Sequence, residues 1–314
     1  MPPMEIFYSD TFELPLPEKH RFPMSKYRLL RERIAGAEEF RDATLRIPNG
    51  ATNLELQRVH DADYVQRVVD GRLSPLEIKR IGFPWSPELV ERSRRSVGAS
   101  IEAASSAISQ GVSVNLAGGT HHAFADAGQG YCVFNDVMVA ARAMQIETDI
   151  RNVLVVDLDV HQGNGTAAIA RPDPSMFSFS MHCDKNYPFR KDVSDLDVAL
   201  PPGTEDEEYL QALRASLEWI EQRFEADLVF YLGGADPYAG DRLGHLRLTK
   251  SGLQKRDEIV MEHCRRLQIP LAIAMSGGYA PDVNDIVDIH FATVRAAWHH
   301  YQSLHVTGRD NSGN

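Results

Sequence analysis

The chain has 314 residues, 43% of them hydrophobic and 25% charged, a globular composition that excludes disordered and collagen-like classes and suffices for one large α/β domain. Its net charge is -11 with Lys and Arg dispersed along the chain, so it lacks the basic footprint of a protein that binds nucleic acid directly. It has no run of about 18 apolar residues to span a membrane, and the start, MPPMEIFYSDTFELPLPEKH, lacks the basic-then-apolar pattern of a secretory leader, so a cytoplasmic protein without a membrane partner is expected.

In chain order, EIFYSD near residue 5 reads as a strand, followed by two or three helices around 24–35 and 53–70. Ser86 and Pro87 announce a helix over 87–109, since a Ser cap and a Pro in the first turn suit a helix start. From residue 112 short apolar runs alternate with amphipathic ones. The runs are VSVNLAG (112–118), NVLVVDLDV (152–160), MFSFSMH (176–182), DLVFYLGG (227–234) and PLAIAMSGG (270–278), each continuous enough to be a strand buried on both faces of a parallel sheet.

Helices are expected between them over 134–146, 205–224, 250–267 and 281–302. The helix over 205–224 carries a capping-box pattern at Thr204 and Glu207 and apolar residues at Leu210, Leu213, Leu217, Ile220 and Phe224. The alternation predicts a single α/β domain over 1–305, with a mainly parallel central sheet flanked by helices on both faces. The tail over 306–314, which includes RDNSGN, is expected to be disordered.

Ligands sit at the carboxyl ends of strands in such sheets. The residues there are GGTHH (118–122), DLDVHQGNG (157–165), SMH (180–182), GGADPYAGD (233–241) and SGGYAP (276–281). Asp157, Asp159 and His161 alternate and would project together. Charges so placed need partners or a metal, and Asp159, His161 and Asp236 offer two carboxylates and one imidazole, a donor set suited to catalytic Zn²⁺ or Fe²⁺. The bland alternative for DxDxH is a buried ion-pair network.

His121 and His122 follow a strand and two glycines, where they could act as base and acid partners, with Asp157 and Asn164 as acceptors that orient them. The other doubled histidine, His299 and His300, lies late in an amphipathic helix and is expected on a solvated face. Tyr279 could place a phenol beside the metal, although GGY is more often an ordinary turn. Cys132, Cys183 and Cys264 form no CxxC pair and are expected as small core residues in a reducing compartment.

GGTHHA, GYCVFND, DLDVHQGNGT, GGADPYAGDRLG and SGGYAP, in this order, resemble the zinc-dependent histone deacetylase family with its arginase-like fold, and HRFPMSKY (20–27) resembles that family's N-terminal segment. Within it, Gln162, PPGTEDEEYL (201–210) and GDRLGHLRLTKSGLQKRDE (240–258) resemble class IV enzymes and their bacterial relatives. The resemblance implies that Asp159, His161 and Asp236 bind zinc and that His121 and His122 are the tandem histidines, supported by Asp157 and Asn164. It implies that Tyr279 polarises the acyl carbonyl and that Gly130, Tyr131, Tyr187 and Gly278 contact the acyl group. The backbone of Asp157, Asp159, His161 and Met181, with Ser180, resembles the family's structural potassium site.

The implied substrate is an acyl-lysine peptide or protein, with acetyl and long-chain acyl groups both open. A small acylated amine, such as an acetylated polyamine, is the alternative. A dimanganese ureohydrolase would need further carboxylates where this chain has His121, His122 and Tyr279. An acyl-lysine binding module without catalysis would be signalled by loss of a ligand, the His pair or the Tyr, and all are present.

Overall fold

All five residues of Val153–Asp157 and of Leu228–Leu232 are buried, as are all four of Val112–Asn115 and of Leu271–Ala274. Burial on both faces is why these runs are continuously apolar. In the computed structural model, which describes residues 3–17 and 20–306, the eight strands are β1 (Glu5–Phe7), β2 (Thr44–Arg46), β3 (Val112–Asn115), β4 (Val153–Asp157), β5 (Met176–Cys183), β6 (Leu196–Leu200), β7 (Leu228–Leu232) and β8 (Leu271–Ala274). They form one sheet in the order β2-β1-β3-β8-β7-β4-β5-β6, and every pairing is parallel.

Alternate residues of β4, β7 and β8 feed two cores. Leu154, Val156, Val229, Tyr231 and Ile273 pack with helices α1 (Ser25–Ala35), α8 (Asp206–Glu221), α9 (Lys250–Leu267) and α10 (Val283–Val306). Val153, Val155, Leu228, Phe230 and Ala272 join the opposite core with α5 (Pro87–Gln110) and α6 (Asp136–Glu147). The expected α/β architecture, helices on both faces of a parallel sheet, is therefore present. Among the described residues no helix is long and apolar enough to cross a membrane.

Several local expectations change. The stretch 53–70 holds two helices, α2 (Asn53–Leu56) and α3 (Ala62–Val69), which with α1 makes the upper count expected, and an unexpected α4 (Pro75–Ile81) follows with a full capping box between Ser74 and Glu77. The capping box expected at Thr204 does not form: its hydroxyl donates to the Pro201 carbonyl, α8 starts at Asp206 after the N-cap Glu205, and it stops at Glu221, short of Phe224. The edge strands β2 and β6 were not anticipated, because one is three residues long and the other alternates half-buried with exposed positions.

His299 is exposed as expected, but His300 is buried, and burial pulls its imidazole down to about 4. All three cysteines are buried free thiols. Of the tail, residues 307–314 lie outside the described residues, and α10 extends to Val306.

The strands β3, β8, β7 and β4 are consecutive in the middle of the sheet. Loops leaving their carboxyl ends therefore converge, and these are the loops that carry the His pair, Tyr279, Asp236 and the Asp159–His161 segment.

Candidate active site

Asp157 ends β4, and the chain then bends so that Asp159 and His161 face Asp236 from the loop after β7. These three buried side chains can each offer a ligand atom, and all such atoms lie within 4.8 Å of one another. His161 Nδ1 is 2.9 Å from Asp159 Oδ1 and 3.2 Å from Asp236 Oδ2. One ring hydrogen can serve only one of the two, and it lies in line with Asp159, which leaves Asp236 Oδ2 buried with no donor of its own. Such an orphaned carboxylate oxygen is costly unless a cation completes it.

The remaining oxygens are held in place. Asp236 Oδ1 accepts from Val160 N at 2.9 Å, and Asp159 Oδ2 accepts from Ser276 Oγ at 2.7 Å and Gly277 N at 2.8 Å. Gly277 is required by this approach, since a Cβ there would lie 2.0 Å from Asp236 Oδ2 and 2.6 Å from Asp159 Oδ2.

The titration behaviour reports the same crowding. Burial pulls the His161 imidazole down, but the Asp159 and Asp236 carboxylates facing it outweigh that and raise it to about 10. Burial and the Asp159 charge push Asp236 up to about 7. Burial would also raise Asp159, but the facing imidazoles of His121 and His161 hold it well below the usual carboxylate range. A divalent cation held by these three groups would compete with protons for them.

The two histidines after β3 are placed by Asp136, the first residue of α6, which accepts from Gly119 N at 3.1 Å and Thr120 N at 2.7 Å. Their rings lie 4.1 Å apart. His121 Nδ1 meets Asp157 Oδ2 at 2.6 Å, and His122 Nδ1 meets Asn164 Oδ1 at 2.8 Å. In each case Nδ1 carries the hydrogen, so the lone pair of His122 is on Nε2.

The two differ sharply in charge. For His121 burial is outweighed by Asp157 and Asp159, which raise it to about 9. His122 has a neutral amide partner, and burial together with the charges of His121 and His161 holds it well below 6.5. The pair therefore divides, His121 favouring the cation against its carboxylate and His122 the neutral ring.

Tyr279 is buried with its ring 6.3 Å from that of His161. Burial, with Asp159 and Asp236 nearby, keeps its hydroxyl protonated well above 10. A cavity of about 380 Å³ runs from His122, His161 and Tyr279 past Gly130, Tyr131 and Tyr187 to the surface. Tyr187 stands edge-on to His122 at 4.9 Å between ring centres, and Tyr131, at φ 67°, lies 6.0 Å from Tyr279. Gly278 does not line this cavity; a Cβ there would face Ile286 and Ala235. Ser180 and Met181 lie in β5, and Ser180 is in register with Asp157.

Four residues with a share in the site were not singled out from the sequence. Asp241 Oδ2 accepts from Tyr279 N, and Arg242 Nε donates to the Tyr279 carbonyl at 3.0 Å. Lys26 is buried behind the tyrosine, with Nζ 3.3 Å from the Ser276 carbonyl and 5.5 Å from the Tyr279 ring centre. Asp136 is the fourth. All four sit inside segments quoted above, HRFPMSKY, GYCVFND and GGADPYAGDRLG, where an ionisable residue without an obvious local partner is the signal the sequence offers.

A profile of the family described as "Histone deacetylase domain" matches residues 20–301. An uncharacterized protein of Picosynechococcus is 42% identical over 292 residues, covering 93% of this chain and 97% of that protein. Histone deacetylase 2 of Arabidopsis thaliana is 29% identical over 289 residues, covering 88% and 74%. Among solved structures, the HDA15 HD domain superposes with a TM-score of 0.80 at 21% identity, covering 95% of this chain and 89% of that one; at that identity the likeness concerns the fold.

Proposed function

The chain belongs to the histone deacetylase domain family, and from that premise we propose that it hydrolyses the amide of N-acyl-lysine-type substrates with the help of a divalent metal. The observation that carries this is the orphaned Asp236 Oδ2 beside Asp159 and His161, within a pocket that also holds a neutral base and an un-ionised phenol. Two carboxylates and one imidazole suit Zn²⁺, with Fe²⁺ as the alternative. When bound, the ion supplies a Lewis acid that acidifies a water molecule and polarises the acyl carbonyl.

The protein's own groups account for the rest. His122 Nε2 takes a proton from the attacking water. The Tyr279 hydroxyl donates to the oxygen that becomes negative as the tetrahedral intermediate forms. His121, charged against Asp157, stabilises that negative charge. The His pair then returns a proton to the departing amine as the C–N bond breaks, so the products are a carboxylate and a free amine. Gly130, Tyr131 and Tyr187 would wall the acyl group off from water.

Two finer assignments accompany this reading. The backbone of Asp157, Asp159, His161 and Met181, with Ser180, would hold a structural K⁺. A placement near class IV enzymes rests on the segments 201–210 and 240–258 and on Gln162, whose amide bridges Asp192 and Asp197 and so anchors the loop that bears Tyr187. Three buried thiols suit a reducing compartment such as the cytoplasm.

The test is turnover of lysine peptides carrying acetyl through myristoyl groups by zinc-loaded protein, with Tyr279→Phe alongside. Loss of one oxyanion donor lowers kcat by about 10²–10³ in comparable sites, and that loss is expected here. Equal turnover by wild type and Tyr279→Phe would reject the mechanism.

A further inference from the structure

Resting on the deacylase reading, we propose that the mouth of this channel selects acyl-lysine sites flanked by acidic residues and disfavours polycationic substrates. The chain as a whole is acidic, with 44 Asp and Glu against 33 Lys and Arg. Among the described residues the cavity lining reverses that balance: Lys79, Arg80 and Lys185 line it, and no carboxylate does.

Lys79 and Arg80 are exposed in the last turn of α4 and form no ion pair among the described residues. Cations at a helix C-terminus offset the helix dipole, which accounts for a bias at that one place. It does not account for the other walls. Arg242 is exposed beside Leu243, itself a lining residue, and bonds to the Tyr279 carbonyl. Arg21 is exposed and close enough to Tyr131 to bear on its hydroxyl.

The acids nearby are already engaged. Asp184 pairs with Lys185 at 2.6 Å, so that lysine adds little net charge. Asp241 keeps its charge but is turned inward, accepting from Leu243 N, Gly244 N and Tyr279 N. Among the described residues the charge left at the mouth is thus positive, carried by Lys79, Arg80 and Arg21, with Arg242 beside the inward-turned Asp241.

These cations have a defined place relative to the reacting atoms. The end of α4 is tied to the channel wall by Gly130 N to the Arg80 carbonyl at 3.0 Å and Tyr131 N to the Ile81 carbonyl at 2.7 Å. An acyl-lysine inserted as far as His122 and Tyr279 would bring its flanking residues to that rim, where Phe189, 91% exposed, offers an apolar contact. A cleft lined by one sign of charge concentrates ligands of the other sign, and like charges placed together are rejected.

The experiment compares kcat/KM of the zinc-loaded protein on one acyl-lysine peptide with Glu, Gln or Lys at the two residues on each side, together with an acylated polyamine bearing free ammonium groups. The expected order is Glu above Gln above Lys, with Glu over Lys by about 10-fold at low salt and a narrower gap at high salt. The polyamine should fall below the Gln peptide. In the double variant Lys79→Glu, Arg80→Glu the Glu–Lys order should collapse or invert, and in Lys79→Gln, Arg80→Gln it should shrink.

Turnover of the Gln peptide with no dependence on flanking charge, or with Lys or the polyamine preferred, would overturn the rim proposal while leaving the deacylase reading intact. No turnover of any peptide would overturn the deacylase reading itself, and the rim proposal with it.

Discussion

Arg256 is the residue whose loss should reveal how the ligand loops are held. It is fully buried, as is Asp257 beside it. Its Nη1 donates to the Gly234 carbonyl at 2.6 Å and reaches the Leu158 carbonyl at 3.4 Å, so one guanidinium spans the segments that lead into Asp236 and Asp159. Its Nε bonds to Asp257 Oδ1 at 2.9 Å, and Asp257 also accepts from Tyr231 and Thr293 hydroxyls.

In Arg256→Met the alkyl packing is largely kept, but Asp257 remains as a buried unpaired carboxylate, which costs about 3–5 kcal/mol. The Gly234 carbonyl also loses its donor, at about 1–3 kcal/mol, not additive with the first. Against a typical total of about 5–15 kcal/mol, urea unfolding of the metal-free protein should show a large fall in midpoint with little change in slope. Adding Asp257→Asn should restore a good part of the loss by removing the stranded charge. In a chelator competition, the double variant should still hold metal more weakly than wild type, because nothing ties the two loops. A loss below about 1 kcal/mol in Arg256→Met, or no recovery in the double variant, would refute the argument.

Three further outcomes follow from the site. Gly277→Ala should abolish metal retention on dialysis, since its Cβ would displace both Asp159 and Asp236, whereas Gly203→Ala, with positive φ but nothing within 4 Å, should cost about 1–2 kcal/mol and keep its metal; metal analysis distinguishes them, and full occupancy in Gly277→Ala would contradict the geometry. Asn164→Asp places a negative charge against His122, which raises a base now held well below 6.5; the base is then protonated at higher pH, so the acid limb of kcat/KM should move up by about 1–3 pH units, and an unmoved limb would reject His122 as the base. Metal binding at pH 8 should release about one proton, because His161 is raised to about 10 in the metal-free protein and must be neutral to ligate. The release should rise at pH 6 as Asp236, near 7, contributes, and vanish above pH 10. Calorimetry in buffers of different ionisation enthalpy reads it, and buffer-independent heats would contradict it.

What could be read from the sequence and what could not divide along the length scale of the interactions. The central strands announced themselves because burial on both faces demands continuous apolar residues, and the ionisable groups at their ends were conspicuous against that background: Asp159, His161, Asp236, the His pair and Tyr279 all fall just past a strand. The edge strands β2 and β6 send no such signal, and a plausible capping box at Thr204 lost to the turn in which its hydroxyl bonds Pro201. The partners are a different matter. Arg256 meets a carbonyl 98 residues away and Lys26 one 250 residues away, and no local pattern encodes which buried cation lies beneath which ligand loop. The positive mouth is of the same kind, since Arg21, Arg80 and Arg242 come from three remote segments of an acidic chain. Sequence periodicity therefore places the chemistry at the metal pocket, whereas the support beneath it and the selection above it arise from contacts that exist only once the sheet has formed.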